Sequence, residues 1–145
     1  MAVSGTFHIG SFGGSRIEAD RAEVEDEHGK PIEVVTVGDA RPSAQTDTLL
    51  DATRQALVNA VTHGGEPVSL YCEASDTMVE VFVRDHGEGF DMDAIPPDRL
   101  GIRESIIGRI KRRGGTVEIV SRAGWGTEVR MHMPIALKAA QGEHR

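Results

Sequence analysis

Met78-Val79-Glu80-Val81-Phe82-Val83-Arg84-Asp85-His86-Gly87-Glu88-Gly89-Phe90 is the stretch on which the fold turns. Val79, Val81 and Val83 recur at period two, which predicts a strand with those valines on one face. Asp85 continues the phase and aims a carboxylate at the valine side. A carboxylate there costs free energy unless something hydrogen-bonds to it. Gly87 and Gly89 let the backbone turn and lie close against a ligand. Phe90 closes the turn with an apolar ring. An acceptor at a strand end, beside glycines, suits a small ligand with a directional N–H donor, such as an adenine amino group. The same Asp-x-Gly-x-Gly spacing also serves as a plain strand-to-loop turn with Asp as a cap, and alone it does not separate the two.

Upstream, Pro67 to Glu73 reads as a second strand, joined to the first stretch by a hairpin turn over Ala74 to Thr77. Before it runs a long helix, from about Thr46 to Thr62. Ser43 or Thr46 caps its start, and Asp47 suits the positive end of its dipole. Leu49, Leu50, Ala56, Leu57, Ala60 and Val61 form its apolar stripe. Gln55, Asn59 and His63 are spaced by four and form a second, polar stripe along one edge. Such a stripe either lines a pocket or is a solvated edge. Gly64-Gly65 stops the helix. Earlier still, Ile32 to Val37 reads as a strand and Ile17 to His28 as a short acidic helix with a solvated charged face. Residues 1–16, rich in glycine and serine, read as a flexible lead.

Downstream, Asp91 to Arg99 reads as a polar loop in which Pro96-Pro97 excludes a helix. A second helix opens at Leu100-Gly101-Ile102-Arg103, with Ile102, Ile106 and Ile110 as its core stripe and Gly114-Gly115 as its stop. Lys111, Arg112 and Arg113 suit the negative end of its dipole. Arg103 falls in the first turn, where free N–H groups favour anions. A final hairpin joins Thr116–Ser121 to Thr127–Pro134. Ser121 and Thr127 point toward the core at facing strand ends, where they bond the local backbone or hold water against Asp85. Residues 136–145 read as a polar tail.

A chain of 145 residues is one domain, here with 39% hydrophobic and 27% charged residues. The net charge of −7 argues against a general nucleic-acid surface. A single cysteine, Cys72, forbids an internal disulfide and fits a reducing cytosol. No apolar run approaches a membrane span, and no signal-peptide pattern follows Met1. No Walker-type Gly-Lys-Ser sequence is present, which excludes a P-loop.

Three stretches, Gln55 to His63, Asp85 to Phe90, and Gly101 through Gly114-Gly115 to Gly124-Trp125-Gly126-Thr127, stand in one order. That order resembles the ATP-binding domain of the gyrase, heat-shock chaperone, histidine kinase and mismatch-repair (GHKL) superfamily, over roughly residues 30 to 135. Ala52 to Ala60 resembles the N-box of sensor histidine kinases. Arg99 to Gly108, with a short lid before it, is similar to the actinobacterial nitrate-sensor and DesK-like group. The resemblance implies a Bergerat-type two-layer α/β sandwich: a mixed, mostly antiparallel sheet of about five strands, covered on one face by the helices at 46–63 and 101–113. It implies ATP and Mg²⁺ as ligands. Asp85 would accept from the adenine N6 amino group, assisted by Thr127 and water, with Phe90 nearby. Asn59 would hold Mg²⁺, and His63 would lie near the phosphates or ribose. Gly87 and Gly89 would let the lid reach the nucleotide, and Gly101, Ile102 and Arg103 would offer N–H groups and charge to the phosphates.

Two positions depart from the family pattern. Gln55 stands where family members usually carry Glu, in the catalytic position; an amide cannot act as a base, so ATP hydrolysis is expected to be poor. Restoring a carboxylate there is expected to raise turnover. Thr62 stands where a basic residue often precedes the N-box histidine. No histidine sits in a long dimerising helix before an acidic residue. The expectation is therefore a catalytic domain, monomeric in isolation and cytoplasmic or the cytosolic part of a membrane-bound sensor kinase. Its partners would be a separate dimerisation and phosphoacceptor domain and a response regulator, with no nucleic acid and no membrane contact. The rival readings are an anti-sigma-factor serine kinase of the same fold and a non-catalytic nucleotide-binding pseudo-kinase.

Overall fold

The computed structural model describes residues 14–38, 40–91, 94 and 97–135. Their elements run α1 (Gly14–His28), β1 (Ile32–Val37), α2 (Ala44–His63), β2 (Val68–Ala74), β3 (Met78–Asp85), α3 (Pro97–Arg112), β4 (Thr116–Arg122) and β5 (Gly126–Pro134). The strands form one sheet in the order β1-β2-β3-β5-β4. Only β1 and β2 pair in parallel; the other pairs are antiparallel. The alternating stretch is thus the middle strand, and the expected mixed, mostly antiparallel sandwich is what forms.

Period-two patterning decides which face is covered. Ile32, Val34, Val68, Leu70, Cys72, Val79, Val81, Val83, Val129, Met131 and Met133 all turn to one side and are buried. The helices lie there, with Leu49, Leu50, Ala56, Leu57, Ala60 and Val61 of α2 and Ile106 and Ile110 of α3 closing the core. The opposite face carries Glu33, Tyr71, Glu80, Phe82, Arg130 and His132, none of them buried. Ser43 caps α2 with a full capping box, its hydroxyl accepting from the Thr46 N–H while the Thr46 hydroxyl accepts from the Ser43 N–H. At the far end of α3 a Schellman motif forms. Gly115 N–H bonds Ile110 C=O and Gly114 N–H bonds Lys111 C=O, with Gly114 at φ 91°.

Three expectations change. The helix α1 starts at Gly14, inside the stretch read as a lead through residue 16. It is a third helix of the covered layer, since Ile17 and Val24 are only 2% and 0% exposed. Its charges are not simply solvated: Arg54 of α2 pairs with Asp20 and Glu23, and Arg16 with Asp51. Burial pushes the Asp20 carboxyl above its usual range against the pull of Arg16 and Arg54. Third, α3 starts at Pro97, not near Leu100. Proline fits the first helical position, where its missing N–H costs nothing. The rest of the expected lead, 1–13, and the tail at 136–145 lie outside the described residues. Among those described, no helix is long and apolar enough to cross a membrane.

Candidate functional site

Asp85 is the last residue of β3 and, in phase with the valines, is 7% exposed. Its Oδ1 accepts the Gly87 N–H at 2.9 Å. No charged side chain among the described residues pairs with it. Its register partner on β5 is Thr127, which in turn faces Ser121 on β4. The two hydroxyls lie 2.8 Å apart; Ser121 Oγ also lies 3.0 Å from Gly126 C=O and accepts the Phe90 N–H at 2.9 Å. One assignment satisfies all three contacts. Ser121 donates to Gly126 C=O, and Thr127 spends its proton on Ser121. Thr127 is then left with acceptor lone pairs beside a carboxylate. Two acceptors side by side, in a nearly dry place, ask for a ligand that donates.

Glycines make the approach to Asp85 possible. A Cβ on Gly64 would lie 2.3 Å from Asp85 Cγ, and one on Gly65 2.9 Å from Gly87 Cα. The Gly65 carbonyl accepts the His86 N–H at 2.8 Å, so the end of α2 is stitched to the end of β3. Gly89 turns at φ 70°, and a Cβ there would strike Arg122 C=O. Between these segments opens a cavity of about 320 Å³ lined by His63, Gly64, Gly65, Gly87, Glu88 and Gly89.

The expected residues are only partly gathered. His63, Gly87 and Gly89 line this cavity, and Asp85 lies directly behind Gly64 and Gly87. Phe90 is tied to the same hydroxyl network. Asn59 sits one turn back along α2; its Oδ1 is buried and has no partner. Gln55 lies two turns back, about 12 Å from His63 along the helix axis. Its Oε1 accepts from Arg109 Nη2 of α3. With α3 starting at Pro97, Gly101, Ile102 and Arg103 are past the free amides of the first turn, and their N–H groups fall within the helical ladder. Arg103 is not among the residues lining the cavity; its Nε is buried without a partner, and Nη1 lies 3.6 Å from Glu104. The Ile102 side chain lies outside what is described.

Sequence reasoning missed Gly64-Gly65, taken only as a helix stop, and Arg109, which was not singled out beside Lys111, Arg112 and Arg113 at the helix end. The paired glycines were visible, but the partner that needs them is some twenty residues on.

No group of three or more His, Cys, Asp or Glu among the described residues forms a metal cage. The orphaned Asn59 oxygen does fit Mg²⁺, which keeps several waters and takes few protein ligands when phosphates supply the rest. Asn59 would hold that ion, and its chemistry there would be to offset phosphate charge.

The family model for histidine kinase-, DNA gyrase B- and HSP90-like ATPases matches residues 44–137. The chain belongs to this ATPase family. A 90-residue segment is 29% identical to the sensor histidine kinase LiaS of Bacillus subtilis (strain 168), covering 61% of this chain. The chain spans only 25% of that relative's length. Two solved structures share its fold. The histidine kinase domain of the Erythrobacter litoralis EL346 blue-light activated histidine kinase aligns with a TM-score of 0.65 at 21% identity, over 92% of this chain and 70% of that one. The Erythrobacter litoralis EL346 kinase in a second structure aligns with a TM-score of 0.66 at 17% identity, over 87% and 42%.

Proposed function

We propose that this chain is the catalytic, ATP-binding domain of a two-component sensor histidine kinase, of the nitrate-sensor and DesK-like group. It binds Mg-ATP and supplies the γ-phosphate to a histidine on a separate dimerisation domain, from which a response regulator takes it. The observation that carries the reading is the buried Asp85 carboxylate beside the acceptor side of Thr127. An adenine N6 amino group supplies the donors that this pair lacks. GTP offers a carbonyl oxygen at that position and would meet repulsion.

The remaining roles follow from position. Gly64, Gly87 and Gly89 let the purine and ribose lie against backbone. His63, at the end of α2, faces the same cavity and suits the ribose or phosphates. Asn59 holds the cation, and Arg103 brings positive charge from α3. In the transfer step the acceptor imidazole nitrogen attacks the γ-phosphorus, the P–O bond to ADP breaks, and ADP leaves with the bonding pair. The imidazole is the nucleophile, so no base is needed at position 55, and a neutral Gln55 leaves transfer intact while hydrolysis stays slow. The group placement rests on the Arg99–Gly108 run and the short lid; a cytoplasmic location follows from the proposed chemistry.

The test is phosphate transfer from γ-labelled ATP to a supplied dimerisation domain of that group. Label on histidine, stable in base and lost in acid, is expected. Acid-stable label on a serine substrate would favour the anti-sigma-factor kinase instead. Tight ATP binding without transfer to either would point to a pseudo-kinase.

A further inference from the structure

Gln55 departs from the family pattern, and the residue that holds it lies on another helix. The helices α2 and α3 run antiparallel: Gln55 meets Arg109, and Thr48, two turns earlier, shares a cavity of about 450 Å³ with Arg109, Arg112 and Arg113. Three guanidinium groups around one depression repel one another. None of the three is paired with a carboxylate among the described residues. Arg109 Nε is buried and has no acceptor. Among the described residues the Gln55 amide oxygen is the side-chain acceptor that Arg109 has.

That contact fixes more than distance. A guanidinium only donates, so the amide must turn Oε1 toward Arg109 and leave its NH₂ facing away. The next residue on this edge of α2 is Asn59, whose buried Oδ1 lacks a partner. We infer that Arg109 is a positioning residue for the nucleotide site: it sets the hydrogen-bond polarity of position 55, holding its acceptor on the α3 side and its donors toward the Asn59 end. A glutamate at 55 would be captured in the same way. It would form a charged, partly buried pair with Arg109, which lowers its basicity. Restoring the carboxylate alone therefore does not restore a base, contrary to what the sequence suggests. The inference rests on the nucleotide reading of the Asn59–Asp85 end.

Its test starts without nucleotide. In ¹⁵N-labelled full chain the Gln55 side-chain NH₂ pair is assigned by its disappearance in Gln55→Leu. Arg109→Met is expected to move that pair to the shifts of a solvent-exposed glutamine, while Arg109→Lys, which keeps a donor, leaves it near the wild-type position. The same spectra show whether each variant is folded. An unmoved pair in a folded Arg109→Met chain overturns the tether. Turnover of Mg-ATP then tests its consequence. Gln55→Glu alone should change kcat for hydrolysis by less than about 3-fold, and adding Arg109→Met should raise it about 10-fold or more with KM little changed. A full gain from Gln55→Glu alone would overturn the inference. Loss of Mg-ATP binding in the wild-type chain would instead sink the nucleotide reading, while the amide shifts still decide whether Arg109 holds Gln55.

Discussion

Among the described residues no countercharge pairs with the buried Asp85, and what surrounds it explains how. It has one backbone N–H, a neighbouring hydroxyl that can only accept, and glycines where other residues would carry a Cβ. Such a carboxylate is under-satisfied, and an N–H donor from a ligand completes it. Gly64 is the residue that keeps the place open. Gly64→Ala puts a methyl 2.3 Å from Asp85 Cγ, so the carboxylate must move. We expect ATP affinity to fall about 10-fold or more and stability to fall by about 1–3 kcal/mol. Nucleotide titration and a thermal melt measure both. Unchanged affinity would mean that Asp85 is not held where the ligand needs it.

Cys72 gives a second residue-scale prediction. Burial, with a smaller push from Glu73, raises its thiol from an ordinary 9.0 to about 12. The folded state therefore holds a proton that the unfolded state releases. Its stability contribution is full below pH 9 and is lost as pH rises from there toward 12. Denaturant unfolding between pH 8 and about 11 should show that decline, and Cys72→Val should remove most of it. The residual slope would belong to Tyr71, whose hydrogen bond to Glu73 also raises its pKa. An identical slope in Cys72→Val would show that the thiol is not the group responsible.

At the scale of elements, α2 carries the site, because Gln55, Asn59 and His63 ride on one edge of it. Its start is set by the Ser43–Thr46 capping box, at the opposite end of the helix from His63. Ser43→Ala should cost about 1 kcal/mol of stability and leave ATP affinity unchanged. A matching fall in affinity would mean that the cap also sets the register of the polar edge. This helix was legible in the sequence because its apolar stripe is regular and its cap residues are diagnostic. The central strand was legible for the same kind of reason. Helix α1 was harder, since two well-separated apolar residues, Ile17 and Val24, bury it and most of the rest is charged. The start of α3 was misread because Pro96-Pro97 signals both a break and a first turn. Pairings such as Gln55 with Arg109, or Gly64 with Asp85, join residues far apart in the chain. No local pattern encodes them.

At the scale of the molecule, one covered sheet face makes a rigid floor, and the site opens where β3 and α2 both end. The chain carries −7 net charge, so a polyphosphate approaches against the field of the whole protein. In the proposed site a divalent cation at Asn59 and the charge of Arg103 would offset that locally. Chelating Mg²⁺ is therefore expected to weaken ATP binding by about 10-fold or more. Equal affinity with and without the ion would remove Asn59 from the proposed role.

The account stands or falls on whether Asp85 reads the adenine. Calorimetric titration of the wild-type chain and of Asp85→Asn, with ATP and with GTP in the presence of Mg²⁺, measures this directly. The wild type should bind ATP and discriminate against GTP. Asp85→Asn turns an acceptor into a donor opposite the N6 hydrogens and should cost about 2–4 kcal/mol of ATP affinity. An Asp85→Asn chain that is folded and binds ATP as the wild type does would contradict the site.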